Sequence, residues 1–102
     1  MTEYLVAKID DMSENSVRAV KAGRHVVAVY RVDGEFYALH NTCPHKGGAM
    51  CDGMIVPEKL VVRCPWHHWN WRLDSGELES DPRQKIRQFD VKVVGDEVVL
   101  TV

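Results

Sequence analysis

The chain has 102 residues, the size of one domain with one modest hydrophobic core, and we predict a single domain over residues 1–102. With 45% hydrophobic and 27% charged residues, its composition is that of a folded globule rather than a disordered segment. Thirteen basic against fifteen acidic residues give a net charge of -2, which gives no reason to expect nucleic acid or an anionic membrane as partner.

The absence of targeting signals and the few cysteines indicate the cellular compartment. The first residues, MTEYLVAKIDDM, lack the basic start and apolar run of a signal peptide, and no stretch of about 18 apolar residues occurs. Three cysteines, Cys43, Cys51 and Cys64, are too few and odd in number for a disulfide framework. We therefore expect a soluble cytoplasmic protein, in which cysteines close to histidines indicate a metal site.

The first predicted elements lie in the N-terminal part of the chain. Ser13 or Asn15 could cap a short helix in Ser13–Lys21, although the valines of this segment favour a turn and a strand. His25–Val32 and Glu35–Leu39 are β-prone runs separated by Asp33-Gly34, a pair that suits a two-residue turn with positive φ at both positions. A first hairpin is predicted here.

The next segment, Asn41–Arg63, departs from this pattern. Its sequence, NTCPHKGGAMCDGMIVPEKLVVR, is rich in Gly and Pro, alternates little, and carries two of the three cysteines. We predict a long loop. A small domain usually keeps such a loop for a function or for a bound group that orders it.

Two more hairpin signals follow. Each consists of two β-prone runs around a short turn: Trp69–Leu73 and Glu77–Glu79 around Asp74-Ser75-Gly76, then Asp90–Val94 and Glu97–Val102 around Gly95-Asp96. Three hairpins in so short a chain predict an all-β sandwich or barrel. Trp69 and Trp71 alternate with polar residues, which favours a place in the core over a role in electron relay.

Two short Cys/His pairs stand out as candidate metal ligands. Cys43-Pro44-His45 and Cys64-Pro65-Trp66-His67 are separated by residues 46–63, and two such pairs can close around one metal centre. A structural zinc site usually spaces each pair of ligands by two to four residues, which the single residue between Cys43 and His45 suits poorly. A two-iron cluster, whose irons take different ligands, suits this spacing better, while a zinc-binding module stays open.

These residues resemble the Rieske iron-sulfur motif, C-x-H followed by C-x-x-H. The runs ALHNTCPHKGGAM, CPWH and WRLDSGE look like those of the small Rieske-type ferredoxins that serve bacterial ring-hydroxylating dioxygenases. The resemblance implies a small antiparallel β sandwich or barrel, with a cluster-binding subdomain at about residues 41–76 inserted in the β base. It also implies one Rieske [2Fe-2S] cluster per chain, with Cys43 and Cys64 on one iron and His45 and His67 on the other.

The same resemblance implies a function. The protein would be no enzyme itself but a one-electron carrier, taking electrons from a flavin-containing NAD(P)H reductase and passing them to a terminal oxygenase. The alternative within the fold is the small subunit of an assimilatory nitrite reductase. Many such subunits have lost ligands, whereas this chain retains all four.

The remaining expectations concern residues around the cluster. High-potential Rieske proteins add a disulfide at positions that correspond to Gly48 and Trp66 here, so we expect a potential nearer about -150 mV than about +300 mV. Cys51 is expected to be a spectator thiol, and His68 to fill space where the family usually has Gly. The acidic run Asp74–Asp81 and the basic run Arg83–Arg87 are typical of solvated faces, with docking of a redox partner as a second interpretation.

Overall fold

The computed structural model describes residues 2–42, 49–50, 53–64 and 69–102, and the regular secondary structure of these residues is almost entirely β-strand. The described strands are β1 Glu3–Lys8, β2 Ser16–Ala22, β3 His25–Val32, β4 Glu35–His40, β5 Met54–Val56, β6 Val61–Arg63, β7 Asn70–Arg72, β8 Glu77–Leu78, β9 Asp81–Lys85, β10 Gln88–Val94 and β11 Glu97–Thr101. One 3-10 turn, Ile9–Asp11, follows β1. The predicted all-β class is confirmed. Within the described ranges, no helix has the length and apolar character needed to cross a membrane.

Six strands form the first sheet, in the order β1-β11-β10-β4-β3-β2. Ala7 of edge strand β1 and Ala22 of edge strand β2 belong to the same hydrophobic cluster, because the sheet curls into a nearly closed barrel. Asp33 and Gly34 have φ of 52° and 80°, as the predicted hairpin turn requires. In the β10–β11 turn only Gly95 has a positive φ, which is the pattern of a type II′ rather than a type I′ turn.

The segment Ser13–Lys21 forms a turn and a strand, as its valines favoured. Asn15 adopts a φ of 57°, and Ser16 begins β2, which pairs with β3 along its whole length. The Ser16 hydroxyl donates a hydrogen bond to the Ser13 carbonyl at 2.6 Å and so stabilises the turn.

Strand β3 separates two hydrophobic cores. Its burial is almost continuous, because successive side chains point to opposite faces and both faces are covered. Val27 and Val29 point into the barrel. Ala28, Tyr30 and Val32 point the other way, into the core shared with the second sheet.

Five short strands form the second sheet, in the order β5-β6-β7-β8-β9. The prediction of one long loop over Asn41–Arg63 is wrong for its second half, because β5 and β6 pair there around a tight turn. The apolar triplets MIV and VVR supply the β-prone residues, and Leu60 closes the turn with a φ of 54°. Trp71 pairs with Leu78 and is fully buried, so the hairpin predicted for Trp69–Leu73 and Glu77–Glu79 and the core position of Trp71 are confirmed.

Candidate metal centre

Of the four predicted ligands, Cys64 is the one that lies within the described residues. It follows directly after β6 and is completely buried, in the core between the two sheets. A buried thiolate is costly unless a positive partner compensates its charge, and a metal ion is such a partner. The position of Cys64 therefore fits a thiolate ligand.

The other predicted ligands, Cys43, His45 and His67, lie outside the described residues, as do Cys51, Trp66 and His68. Among the residues that the structure does describe, no group of three or more His, Cys, Asp or Glu side chains could hold a metal ion. The ligand set thus stays a prediction, and its support comes from the residues that flank each ligand-bearing segment.

The segment 65–68, which contains His67, is closed at its base by Cys64 itself. The Cys64 amide donates a hydrogen bond to the carbonyl of Trp69 at 2.8 Å, continuing the pairing of β6 with β7. Trp69 packs against the core that includes Cys64. The backbone therefore leaves and re-enters the sheet at adjacent points around the predicted C-x-x-H ligands.

The segment 43–48, which contains Cys43 and His45, is closed in a similar way. Thr42 and Ala49 form an isolated antiparallel bridge, and the Met50 amide donates to the carbonyl of Asn41. The His40 ring adds a further contact, since its Nδ1 accepts a hydrogen bond from the Thr42 amide at 3.2 Å. Cys43 is thus the first residue beyond a fixed base.

The residues that close the two ligand-bearing segments contact each other. The Met50 carbonyl accepts hydrogen bonds from the Gly53 amide at 3.0 Å and from the Tyr30 hydroxyl at 2.9 Å. Gly53 also lies against β6: a Cβ on Gly53 would sit 2.6 Å from the carbonyl oxygen of Arg63, the residue before Cys64. Only glycine permits this approach. The flanks of both predicted ligand segments therefore meet at one end of the molecule, as a metal centre bridging two loops requires.

A group of ionisable side chains borders this end and was not singled out in the sequence. The rings of His25 and His40 both lie against Phe89, at centroid distances of 5.5 and 6.4 Å. Partial burial and then the positive charges of Arg87 and Arg24 hold the pKa of His25 below its usual value, with a smaller contribution from His40. In the sequence, His40 could have been identified by its position three residues before Cys43.

The structure agrees with the predictions for the two tryptophans and for the charged runs. Trp69 and Trp71 both contribute to the core, as expected. Asp74 and Asp81 each hydrogen-bond a nearby arginine, Arg72 and Arg83, and these arginines lower the pKa of both carboxyl groups. Most of the acidic and basic runs is exposed, in keeping with solvated faces.

Comparisons with known proteins converge on one family. A family model described as the Rieske [2Fe-2S] domain matches residues 2–90. The ferredoxin component of the naphthalene 1,2-dioxygenase/salicylate 5-hydroxylase systems of a Ralstonia species is 34% identical over 95 residues, which cover 92% of this chain and 89% of that protein. Apoptosis-inducing factor 3 of Mus musculus is 31% identical over 96% of this chain, but the chain spans only 16% of its length.

Solved structures agree. A chain in the complex of reduced oxygenase and oxidised ferredoxin of carbazole 1,9a-dioxygenase superposes with a TM-score of 0.87 at 30% identity, covering 96% of this chain and 91% of that one. Two structures assigned to nitrite reductase small subunits also superpose, at 21% and 20% identity, and they show the fold alone.

Proposed function

This chain belongs to the Rieske [2Fe-2S] domain family, and on that premise we propose that it passes electrons from a flavin-containing NAD(P)H reductase to a terminal oxygenase. Membership confirms the predicted cofactor, a Rieske [2Fe-2S] cluster. The prediction of an electron-transfer component rather than an enzyme is likewise confirmed by relatives that are ferredoxin components of oxygenase systems. The match to almost the full length of the Ralstonia ferredoxin component is the observation that carries the proposal.

We propose Cys43, His45, Cys64 and His67 as the ligands. The cluster, when bound, supplies reversible one-electron reduction. Two thiolates and two neutral imidazoles bring its oxidised form near zero formal charge, so that an electron is added more easily than to a four-thiolate cluster. The burial of Cys64 and the contact between the two loop bases through Gly53 support this assignment.

The chain's own residues hold the loops in place for this chemistry. The bridge between Thr42 and Ala49 and the hydrogen bond from Cys64 to Trp69 fix the points where each loop leaves the β-framework. Tyr30 connects the first of these points to β3, the best-buried strand of the barrel. Little structural change on electron transfer is expected from such a fixed frame, which favours fast exchange.

The proposed partners follow from the relatives. The solved complex joins an oxygenase with a ferredoxin, which supports a terminal oxygenase as acceptor. A reductase as donor follows from the multicomponent systems to which the similar ferredoxins belong. We place this exchange in the cytoplasm, because the few cysteines of the chain suit a reducing compartment.

The ligand assignment is tested by two substitutions at adjacent positions. His67→Ala should lose the normal cluster, measured as two irons and two acid-labile sulfides per chain and a Rieske-type signal after reduction. His68→Gly should retain both and serves as the matched control. The wild-type midpoint potential should lie nearer about -150 mV than about +300 mV. Equal behaviour of the two variants, a potential well above zero or a colourless protein with one zinc would each contradict the assignment.

The carrier role is separated from the nitrite reductase alternative by gene context and by turnover. Genes for a flavoprotein reductase and an oxygenase beside this one, whose products sustain NADH-dependent oxygenation only when this chain is added, are the expected result. A neighbouring gene for a nitrite reductase large subunit, together with a stable complex between its product and this chain, would overturn the carrier role while leaving the cluster assignment intact.

A further inference from the structure

An open cavity of about 300 Å³ lies beside the base of the first ligand-bearing loop. It is lined by His40, Thr42, Lys85, Ile86 and Arg87. Thr42 immediately precedes the proposed ligand Cys43, and the His40 amide donates to the Arg87 carbonyl at 2.8 Å, which ties the end of β4 to the connection between β9 and β10. The cavity is therefore built from fixed backbone next to the proposed cluster site.

The charged side chains that line this cavity are basic and have no acidic partner among the described residues. Lys85 and Arg87 are exposed, and neither forms an ion pair with a carboxylate of the described residues. Glu77 lies opposite Lys85 in the β8–β9 pair but makes no such contact. By contrast, Arg31, Arg72 and Arg83 each pair with a carboxylate.

The positive charge extends beyond the cavity. The Arg87 guanidinium lies over the Phe89 ring, 4.7 Å from its centroid, and the same ring contacts His25 and His40. Arg24, in the turn before His25, lies close enough to help lower the pKa of that histidine. Two separate parts of the chain thus contribute cations: Arg24 in the β2–β3 turn, and Lys85 and Arg87 at the end of β9 and in the connection to β10.

We propose that this basic surface, formed by Arg24, Lys85 and Arg87 around the rings of His25 and His40, docks the acidic surface of a redox partner beside the cluster-binding loop. The proposal rests on the carrier function. Carboxylates of the partner would bind the guanidinium of Arg87 and the ammonium of Lys85. The cations come from two separate parts of the chain, which suits a protein surface better than a small anion, and transient redox complexes use small charged contacts of this kind.

The sign of the net charge makes a direct test available. The chain as a whole carries a net charge of -2, so overall electrostatics would repel an anionic oxidant and attract a cationic one. A local basic surface beside the cluster would attract the anionic oxidant and repel the cationic one. The dithionite-reduced holoprotein is mixed in stopped flow with hexacyanoferrate(III) or with hexaammineruthenium(III). In each reaction the reduced cluster loses one electron and the metal of the probe gains it, falling from +3 to +2.

For the wild-type protein, the rate with hexacyanoferrate should fall several-fold between about 10 mM and about 0.5 M salt, because screening removes the local attraction. The rate with hexaammineruthenium should rise or stay level. The opposite pair of salt dependences would overturn the proposal. A protein that cannot be reduced and reoxidised at all would instead contradict the carrier function itself.

Charge-reversal variants test whether the attraction of hexacyanoferrate comes from Lys85 and Arg87. Lys85→Glu with Arg87→Glu should slow hexacyanoferrate about tenfold at low salt and reverse its salt dependence, because the local charge becomes negative. Lys8→Glu with Lys59→Glu changes the net charge equally, at the far ends of the two sheets, and should leave the rate within about twofold. If the first pair loses its cluster, Lys85→Gln and Arg87→Gln remove the charges singly. Equal slowing by both double variants would overturn the proposal.

A titration with pyrophosphate distinguishes docking from small-anion binding. Wild-type protein should show only weak, non-saturating shifts of its amide resonances. Saturable binding that disappears in the Lys85→Glu, Arg87→Glu variant would reassign the cavity to a free phosphate compound and overturn the docking proposal.

Discussion

The two sheets of this molecule differ in what stabilises them. Strands of the first sheet have five to eight residues and surround a core of their own, whereas strands of the second have two to five residues. The second sheet buries its apolar residues against the outer face of β3 and β4. The barrel therefore has a core made of its own side chains, while the second sheet, which leads into Cys64, buries its apolar side chains against the barrel.

This dependence is unequal, because β3 and β4 bury only part of their side chains, such as Tyr30 and Leu39, against the second sheet. Val29 and Leu100 keep their partners inside the barrel whether or not the second sheet is formed. Val62 and Trp71 face β3 and are covered only when the second sheet is in place. A bound cluster that joins the proposed ligand loops would then contribute most of its stabilisation to the second sheet, since binding stabilises the state that forms the site.

The largest effect is expected at the contact between the loop bases. Gly53→Ala would bring a Cβ within 2.6 Å of the Arg63 carbonyl and 3.1 Å of the Met50 carbonyl, both backbone atoms that cannot turn aside. We expect destabilisation of about 3 kcal/mol and loss of most of the cluster, because the two ligand segments must separate. Iron and sulfide per chain, with the visible spectrum, measure the loss.

Gly95→Ala is the matched control in the other sheet. Gly95 has a φ of 64° and open space around its Cβ position, so alanine there costs about 1 kcal/mol through backbone strain alone. Its cluster content should equal that of the wild type. If Gly53→Ala retained a full cluster, the direct contact between the loop bases would not matter for binding.

Two buried valines sharpen the comparison at a smaller scale. Val29 and Val62 are both fully buried, one in each core. In the apoprotein, prepared by chelating the iron, Val29→Ala should reduce the free energy of unfolding by about 2 kcal/mol, through the cavity it leaves. Val62→Ala should reduce it by less than half as much, because the second sheet is already loosened. Urea unfolding of both variants measures the difference.

Hydrogen exchange gives the corresponding check on the wild type. Removal of the cluster should speed exchange of the β6 and β7 amides about 100-fold, while the β3 and β10 amides stay within a few-fold. Uniform acceleration in both sheets would show that the two regions unfold as one unit, against the proposed unequal dependence.

The sequence indicated the barrel better than the second sheet, for a physical reason. Asp33-Gly34 and Gly95-Asp96 encode their turns locally, and the paired runs alternate well enough to be seen. Strands β5 and β6 have three residues each within a Gly/Pro-rich segment, and β9 contains Pro82 among charged residues. Their pairing depends on the barrel face behind them, which no local pattern records.

The candidate site, too, could be predicted from the sequence only in part. Spacing and residue type predict Cys64 as a ligand, and its burial after a strand is compatible with a bound thiolate. The basic run Arg83–Arg87 was recognised, with docking as its second interpretation. Gly53, Tyr30 and His40 were not found, because their roles depend on contacts between residues far apart in the sequence. Such contacts are set by the packing of the two sheets.

The smallest effect is expected at the hydrogen bond that links the two regions. Tyr30 lies in β3, is fully buried, and donates its hydroxyl to the Met50 carbonyl at 2.9 Å. Tyr30→Phe keeps the ring and leaves that carbonyl with Gly53 as its remaining donor, so we expect a loss of about 1 kcal/mol. Because the barrel core is untouched, the loss should appear as several-fold faster release of iron to a chelator. Unfolding of the apoprotein should be nearly unchanged, and an equal loss in both measurements would mean that Tyr30 stabilises the barrel rather than the cluster-bearing loop.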